Sequence, residues 1–419
     1  MTDYYCDLEK AFADATGADH AGNELTGPAG LQAAIRGTAN ATALAAGDTL
    51  YIKGTGDQSR LVLIDCNGAD VTGWGVGDVV HNKDAGSAWQ GVVVETNAGA
   101  FLGADDIALI WLAVGYDEDD ILIAEGVTND DASGAAGDPT DAWPLAARST
   151  PGSTMDGASG SGASHITLVG VNAAWTEDGT RAILDAKDKA TNNIRSTGPN
   201  YIHFRNVHGK DALGTGWLAE SASKYWSWRN CVASGSGGMG WGDGTAWQYS
   251  TAFRCQAYDI AGSHGMFLYL SNMLHCTAYN VAGYGFKAYF SSMMGCVAFQ
   301  CDTGVYLASQ GVLLNCVIDD NRVDGVLINA GASQIIGCRI TNNVGYGVKE
   351  FATFCDPFTF YCGNGSTSKD GRGVDLVDGV STRILGTADG YIDGDNADLS
   401  LRNYGLTNQA QGRRMEVAL

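Results

Sequence analysis

The sequence predicts an all-β parallel solenoid. Three observations carry this: a cysteine that returns every 20–24 residues, a glycine that follows it at a nearly fixed delay, and no room for a helix between them. The cysteine position is held first by Val207, then by Cys231, Cys255, Cys276, Cys296, Cys316, Cys338 and Cys362, at intervals of 24, 24, 21, 20, 20, 22 and 24 residues. About nine residues later comes a glycine and a usually apolar residue: Gly216-Trp217, Gly240-Trp241, Gly265-Met266, Gly285-Phe286, Gly304-Val305, Gly325-Val326 and Gly347-Val348. Two landmarks recurring in one order mark a structural repeat rather than a bias of composition.

Apolar runs such as GVLLNCVI and GASQIIGCRI are broken by Gly, Asn, Asp and Ser before a helix of about 10–12 residues could form. One repeat cannot bury an apolar face alone, so repeats must stack. Parallel strands about 4.8 Å apart set equivalent residues above one another. A small, polarisable Cys suits an inward column of that kind. The recurring glycine is expected to take positive φ where the coil bends. In coil length the repeat resembles the right-handed parallel β-helix family of pectate lyases, phage tailspikes and related virion proteins, which implies a right-handed coil of about 20–24 residues.

In chain order, residues 1–70 read as an N-terminal cap and the first solenoid strands. Leu31, Ala34 and Ile35 of AGLQAAI share one helical face behind Pro28, and GDTLYIKG and RLVLIDCNG follow as strands. Such a cap covers the open sheet edge at a solenoid end, and its order resembles the N-terminal caps of many β-helix proteins. Residues 71–130 break the rhythm with VGDVV, SAWQGVVVE, IALIWLAVG and DDILIAEG, an inserted small β-module. The phrase from Val76 to Val127 resembles small β-modules of phage structural proteins. Its acidic run, Asp117 to Asp120, lacks the spacing of a calcium loop and reads as a solvated turn. Residues 131–165 form a Gly-, Ser- and Pro-rich return loop, 166–379 the solenoid itself, and 380–419 a C-terminal cap or docking tail.

Composition narrows the function. The 419 residues include 58 Gly but only 6 Pro, which fits many turns in an ordered chain. With 47 Asp and Glu against 25 Lys and Arg, the net charge is −22, which opposes nucleic-acid binding. The opening MTDYYCDLEKAFADATG has no basic and apolar leader, and no run of 18 apolar residues occurs, so synthesis in a host cytoplasm and no membrane span are expected. There the 11 Cys would be thiols. Parallel Cβ vectors about 4.8 Å apart also exceed normal disulfide reach, and spacings of a whole repeat do not suit zinc. No metal and no cofactor are expected.

The catalytic candidates are few. Asp319 and Asp320 in NCVIDDNRVDG, with Asp324 nearby, form the best carboxylate cluster for glycoside chemistry, and His264 in GSHG resembles the Gly-His-Gly of polygalacturonases. That family places its Asp motifs before the His and an Arg-x-Lys after it. Here the His comes first and no Arg-x-Lys follows. Asp319, Asp320 and Asn321 also suit a turn, where such side chains bond to backbone. The Arg and Lys residues of the repeat stand apart from any carboxylate cluster of the kind with which pectate lyases hold calcium, and no G-x-S-x-G elbow is present.

Aromatic residues gather at Trp217, Tyr225, Trp226, Trp228, Trp241, Trp247 and Tyr249, followed by Phe267, Tyr269, Tyr284, Tyr289 and Tyr306. Alternation sets Trp226 and Trp228 on one side. Facing outward, Trp226, Trp228, Trp241 and Trp247 would form a strip for sugar rings or for a neighbouring subunit; facing inward, they would be core. The expected role is a non-enzymatic bacteriophage virion protein, a capsid decoration or else a tail spike or fibre, self-associated (as a homotrimer, by the tailspike resemblance) and bound to capsid or tail proteins at the virion surface. The alternatives are a polysaccharide-degrading enzyme, such as a depolymerase or lyase, and a non-catalytic glycan-binding module.

Overall fold

The computed structural model describes residues 2–10, 24–26, 31, 44–65, 74–75, 78–82, 90–96, 107–113, 127–129, 143–144, 153–155, 159–196, 198–219, 223–242, 247–331, 333–350, 354–355, 360–362, 391–393 and 398–401. They fall in two compact units, Met1–Lys224 and Tyr225–Leu419. Of the helix expected over 29–35, only Leu31 lies among the described residues. Most of the expected C-terminal tail lies outside them too; Tyr391–Asp393 and Asp398–Leu401 form an antiparallel pair.

In the first unit, strands pair in parallel on three walls. Asp3–Asp7 lies between Glu24–Thr26 and Thr49–Lys53, and Thr49–Lys53 is followed on its other edge by Ile166–Val171 and then Ile202–Arg205. Thr55–Asp57, Ala182–Asp185 and Val207–Lys210 make the second wall, and Ser153–Met155, Asn192–Ser196 and Thr215–Ala219 the third. Register sets Leu50 over Leu168 and Ile52 over Gly170, although more than a hundred residues intervene. The strands Leu61–Asp65, Val79–Asn82, Gln90–Thr96, Ile107–Leu112, Val127–Asn129 and Trp143–Pro144 form a separate antiparallel sheet. Arg60 fastens that sheet: its Nε donates to the Leu112 carbonyl at 2.7 Å and its guanidinium lies 4.5 Å from the Trp111 ring centroid. Inside the parallel walls, the buried side chains of Gln58 and Asn193 close a polar clasp. Asn193 Nδ2 donates to the Leu184 and Lys210 carbonyls at 2.8 and 2.9 Å, and Gln58 Nε2 donates to the Asn193 carbonyl at 2.9 Å. A buried amide without such partners would be destabilising.

The second unit repeats one three-walled rung. Sheet 1 holds Ser227–Arg229, Thr251–Phe253, Asn272–Leu274, Ser292–Met294, Val312–Leu314, Ser333–Ile336 and Phe354–Cys355. Sheet 2 holds Val232–Ser234, Gln256–Ile260, Thr277–Val281, Val297–Phe299, Val317–Asp319, Arg339–Thr341 and Phe360–Cys362. Sheet 3 holds Met239–Gly242, His264–Tyr269, Tyr284–Tyr289, Thr303–Leu307, Asp324–Ile328 and Val348–Glu350. Because every pairing is parallel and in register, the interior is a set of columns. Sheet 1 supplies Trp228, Ala252, Met273, Met293, Leu313 and Ile335; sheet 2 supplies Ala233, Ala257, Ala278, Ala298, Ile318 and Ile340; all are buried. Each fully buried Met, Leu or Ile contributes roughly 1.5–3 kcal/mol, and each alanine methyl less.

Left-handed residues make the corners. Between sheets 1 and 2, Asn230, Arg254, His275, Gly295, Asn315 and Gly337 have φ of 51–62°, and each directly precedes a ladder cysteine. Their N–H groups reach the next rung: Asn230 to Phe253 O at 2.9 Å, His275 to Met294 O at 2.8 Å. Cys231, Cys255, Cys276, Cys296, Cys316 and Cys338 are therefore corner residues, buried and unbridged, as are Cys6 and Cys301. The Cys362 side chain lies outside the described residues. Ladder thiols donate to carbonyls of the preceding rung, Cys276 to Ala252 O at 3.4 Å and Cys296 to Met273 O at 3.3 Å. The second corner is filled by Gly235, Asp259, Asn280, Gln300, Asp320 and Asn342, and the third by Tyr225, Tyr249, Leu270 and Phe290. Asn, Asp and Gly are at ease there, whereas other residues cost roughly 1–2 kcal/mol each.

One expectation is corrected. The recurring glycines Gly240, Gly265, Gly285, Gly304 and Gly325 are not the positive-φ residues. They are needed because a Cβ on each would lie 2.4–2.8 Å from the carbonyl oxygen of the equivalent glycine one rung on. Close stacking, not turning, requires them.

Candidate functional site

Outward positions stack as regularly as inward ones. On sheet 3, Met266 and Leu268 face the core, so Phe267 and Tyr269 point away from it, Phe267 being covered by its neighbours; one rung on, Phe286 and Ala288 face in and Lys287 and Tyr289 out. Register places Phe267, Lys287 and Tyr306 in one column, Tyr269 and Tyr289 in a second, and His264, Tyr284, Thr303 and Asp324 in a third. The Lys287 ammonium lies 4.6 Å from the Phe267 ring centroid and 5.8 Å from those of Tyr289 and Tyr306. Tyr284 and Tyr306 stack at 4.6 Å and 18°, and Tyr269 meets Phe290 edge-on at 5.9 Å. The result is an aromatic face with a cation at its middle, in a chain of strongly negative charge. Such rings suit flat, weakly polar partners, and the ammonium adds a donor and a positive charge.

His264 closes one margin of this face. Its ring stacks on Phe267 at 5.5 Å and 16°, and its Nδ1 is hydrogen-bonded to Ser263 Oγ. Burial, and then the Lys287 charge, push its pKa down to about 4, so the ring is neutral at pH 7. Its column partner Asp324 is three rungs away, about 14 Å at the spacing of parallel strands. The two do not form an acid–base pair.

The carboxylates of the sequence cluster part company. Asp319 ends a sheet 2 strand, facing out below the stacked rings of Tyr258, Tyr279 and Phe299, whose centroids are 4.9 and 5.0 Å apart. It accepts from Thr341 Oγ1 at 2.6 Å and Asn342 Nδ2 at 3.0 Å, and lies 3.5 Å from Arg339 Nη2. Asp320 is an exposed corner residue at φ 50°. Asp324 is buried on sheet 3, accepting the Tyr346 N–H at 2.9 Å. Turn placement explains this dispersal: the corner made at Asp320 sends Asp319 and Asp324 to different walls. Among the described residues no group of three or more His, Cys, Asp or Glu is gathered for a metal ion, and no helix is long and apolar enough to cross a membrane.

The tryptophans require a second correction. Trp226, Trp228, Trp241 and Trp247 are all interior, none more than 1% exposed, so they do not form an outward strip. Trp226, Trp228 and Trp247 pack on one another with ring centroids 4.6–5.8 Å apart. Trp228 sits over Ala252, whose small side chain leaves that space. Alternation gave the shared side correctly, and burial of the largest apolar surfaces decided which side it was. The outward aromatic surface is instead built from the half-buried Tyr269, Tyr284, Tyr289 and Tyr306, with Phe267 buried beneath Lys287.

Residues 192–355 match the family model described as right handed beta helix region. No curated protein sequence matches the chain. Among solved structures it is similar to the pectate lyase Pel9A, at 12% identity over 96% of this chain and 85% of that one, with a TM-score of 0.51. It is also similar to the A-module of mannuronan C-5 epimerase AlgE4 of Azotobacter vinelandii, at 16% identity, 53% and 67% coverage and TM-score 0.42. For ORF18 of Geobacillus virus E2 the values are 15%, 52% and 48%, and 0.34. The family match and the likeness to the pectate lyase agree on the right-handed parallel β-helix fold.

Proposed function

We propose that this right-handed β-helix is a non-enzymatic structural protein of a bacteriophage particle, carried at the virion surface as a capsid decoration or as a tail spike or fibre. In this reading it self-associates, as a homotrimer, and docks on capsid or tail proteins. The observation that supports it best is the state of Asp319. The leading carboxylate of the sequence is engaged by Arg339, Thr341 and Asn342 as a brace between rungs. The phage setting is supported by the β-module phrase from Val76 to Val127. Electron cryomicroscopy of phage particles carrying this chain tests it. β-Helix density on the capsid lattice or at the tail is the expected result, and absence of the chain from purified particles would sink the proposal.

A second reading, that the β-helix also contacts a glycan without cleaving it, is favoured by the aromatic face around Lys287. Retention of a polysaccharide with no new reducing or unsaturated ends, weakened by Lys287→Met, is its expected signature. Cleavage lost in Asp320→Asn with the fold intact would instead support the enzyme alternative.

A further inference from the structure

The third corner of the second unit departs from the other two. Tyr225, Tyr249, Leu270 and Phe290 occupy left-handed positions, φ 48–61°, on four successive rungs, where the neighbouring corner columns mostly hold Asn, Asp or Gly. Burial does not compensate: Tyr225, Tyr249 and Phe290 are 41%, 49% and 45% exposed. Large rings thus stand in solvent at positions whose backbone favours small or amide residues, a combination associated with recognition rather than folding. Beside Leu270 and Phe290 runs an open groove of about 360 Å³. Its polar lining is Asn272 and Ser292, paired by a hydrogen bond on sheet 1, with Gln310 and Gln334, and Ser271 and Ser291, whose hydroxyls donate to backbone carbonyls. None of its lining residues is charged, in a chain with 47 acidic side chains.

We infer that this groove binds an uncharged segment of a saccharide chain. A ring edge and an aliphatic wall suit the apolar face of a sugar, while amide and hydroxyl groups both donate to and accept from its hydroxyls. The absence of charge from the lining matches a neutral ligand. Register repeats the outward column Asn272, Ser292, Val312, Gln334 from rung to rung, so the groove offers a polymer successive contacts in line. The inference deepens the glycan reading and rests on it; the groove adjoins the Lys287 face where Phe290 meets Tyr269, and none of the Lys287 column lines it.

The test applies the full chain to a printed array of uncharged and of uronate- or sialate-bearing oligosaccharides, then measures affinity for the best uncharged one. Uncharged glycans are expected to bind, and Phe290→Gly and Gln334→Ala to weaken binding at least 10-fold. Glycine adopts φ 49° without strain, so Phe290→Gly is expected to keep or raise the thermal midpoint while binding is lost. A lowered midpoint with binding unchanged would assign Phe290 to the fold and overturn the inference. Binding of acidic glycans alone, lost in Lys287→Met, would overturn it while leaving the glycan reading standing. No binding to any glycan would overturn both, and self-association abolished by Phe290→Gly without glycan binding would make the groove a subunit contact.

Discussion

Asn321 donates its side-chain amide to the side-chain oxygen of Asn343, one rung on, at 2.8 Å, and both residues are buried. Asn321 also accepts the Cys301 N–H at 3.1 Å, and Asn343 accepts the Asn321 N–H at 3.2 Å. A short amide ladder thus continues the inward position held by Cys301, satisfying corner N–H groups that would otherwise be buried and unpaired. Ser250, Ser271 and Ser291 do the same at the third corner, each hydroxyl accepting the N–H of the rung before.

Asn321→Ala should therefore destabilise the second unit by about 1–3 kcal/mol, since it removes a buried amide and orphans the Cys301 N–H, while Asn343 keeps the Asn321 backbone N–H. Guanidinium unfolding measures this. Asn321→Asp should be worse at pH 7, where a carboxylate would be buried, and should recover as pH falls and the group is protonated.

Gly265→Ala should destabilise strongly, by about 2–4 kcal/mol, or prevent folding. The new methyl would lie 2.5 Å from the Gly285 carbonyl oxygen, which belongs to backbone and cannot rotate away. A thermal midpoint within a degree of the parent would refute the close-stacking role.

The thiols of Cys255, Cys296 and Cys338 should resist alkylation in the native protein. Burial pushes the thiols of Cys255, Cys296 and Cys338 up, so little thiolate forms and little of it is accessible. Peptide mapping by mass spectrometry after a timed iodoacetamide pulse should show these sites labelled only in step with global unfolding. Fast labelling in the absence of denaturant would contradict the stacked column.

Acid should weaken the fold partly through His264. Its pKa is about 4 in the fold, by burial and then by Lys287, against 6.5 when unexcluded from water. The unfolded chain takes up the proton first, so this contribution is complete above about pH 6.5 and is lost as pH falls towards 4, at roughly 1 kcal/mol per pH unit. Unfolding free energies at pH 7.0, 5.5 and 4.5 should show a shallower decline in His264→Gln than in the parent. Equal slopes would remove His264 from the acid response.

The repeat was legible in sequence because a stacked chain writes its geometry in one dimension. Each rung must return the same residue type to the same column, so Cys231, Cys255 and Cys276 announce the stack by their spacing alone. The partners of those cysteines were less visible: Asn230, Arg254, His275 and Gly295 share no side-chain type, only a left-handed backbone.

What the sequence by itself determined was the period, the parallel stacking, the buried free thiols and the shared side of Trp226 and Trp228. What tertiary structure decided was direction and assembly. Alternation says which residues share a side but not which side is wet, so burial alone sent the four tryptophans inward. Lys287 reaches Phe267 and Tyr306 because ladder register aligns rungs of unequal length, and Asp319 and Asp324 separate because the corner made at Asp320 lies between them. Hydrogen bonds between rungs fix that register, and they join residues some twenty apart in the chain.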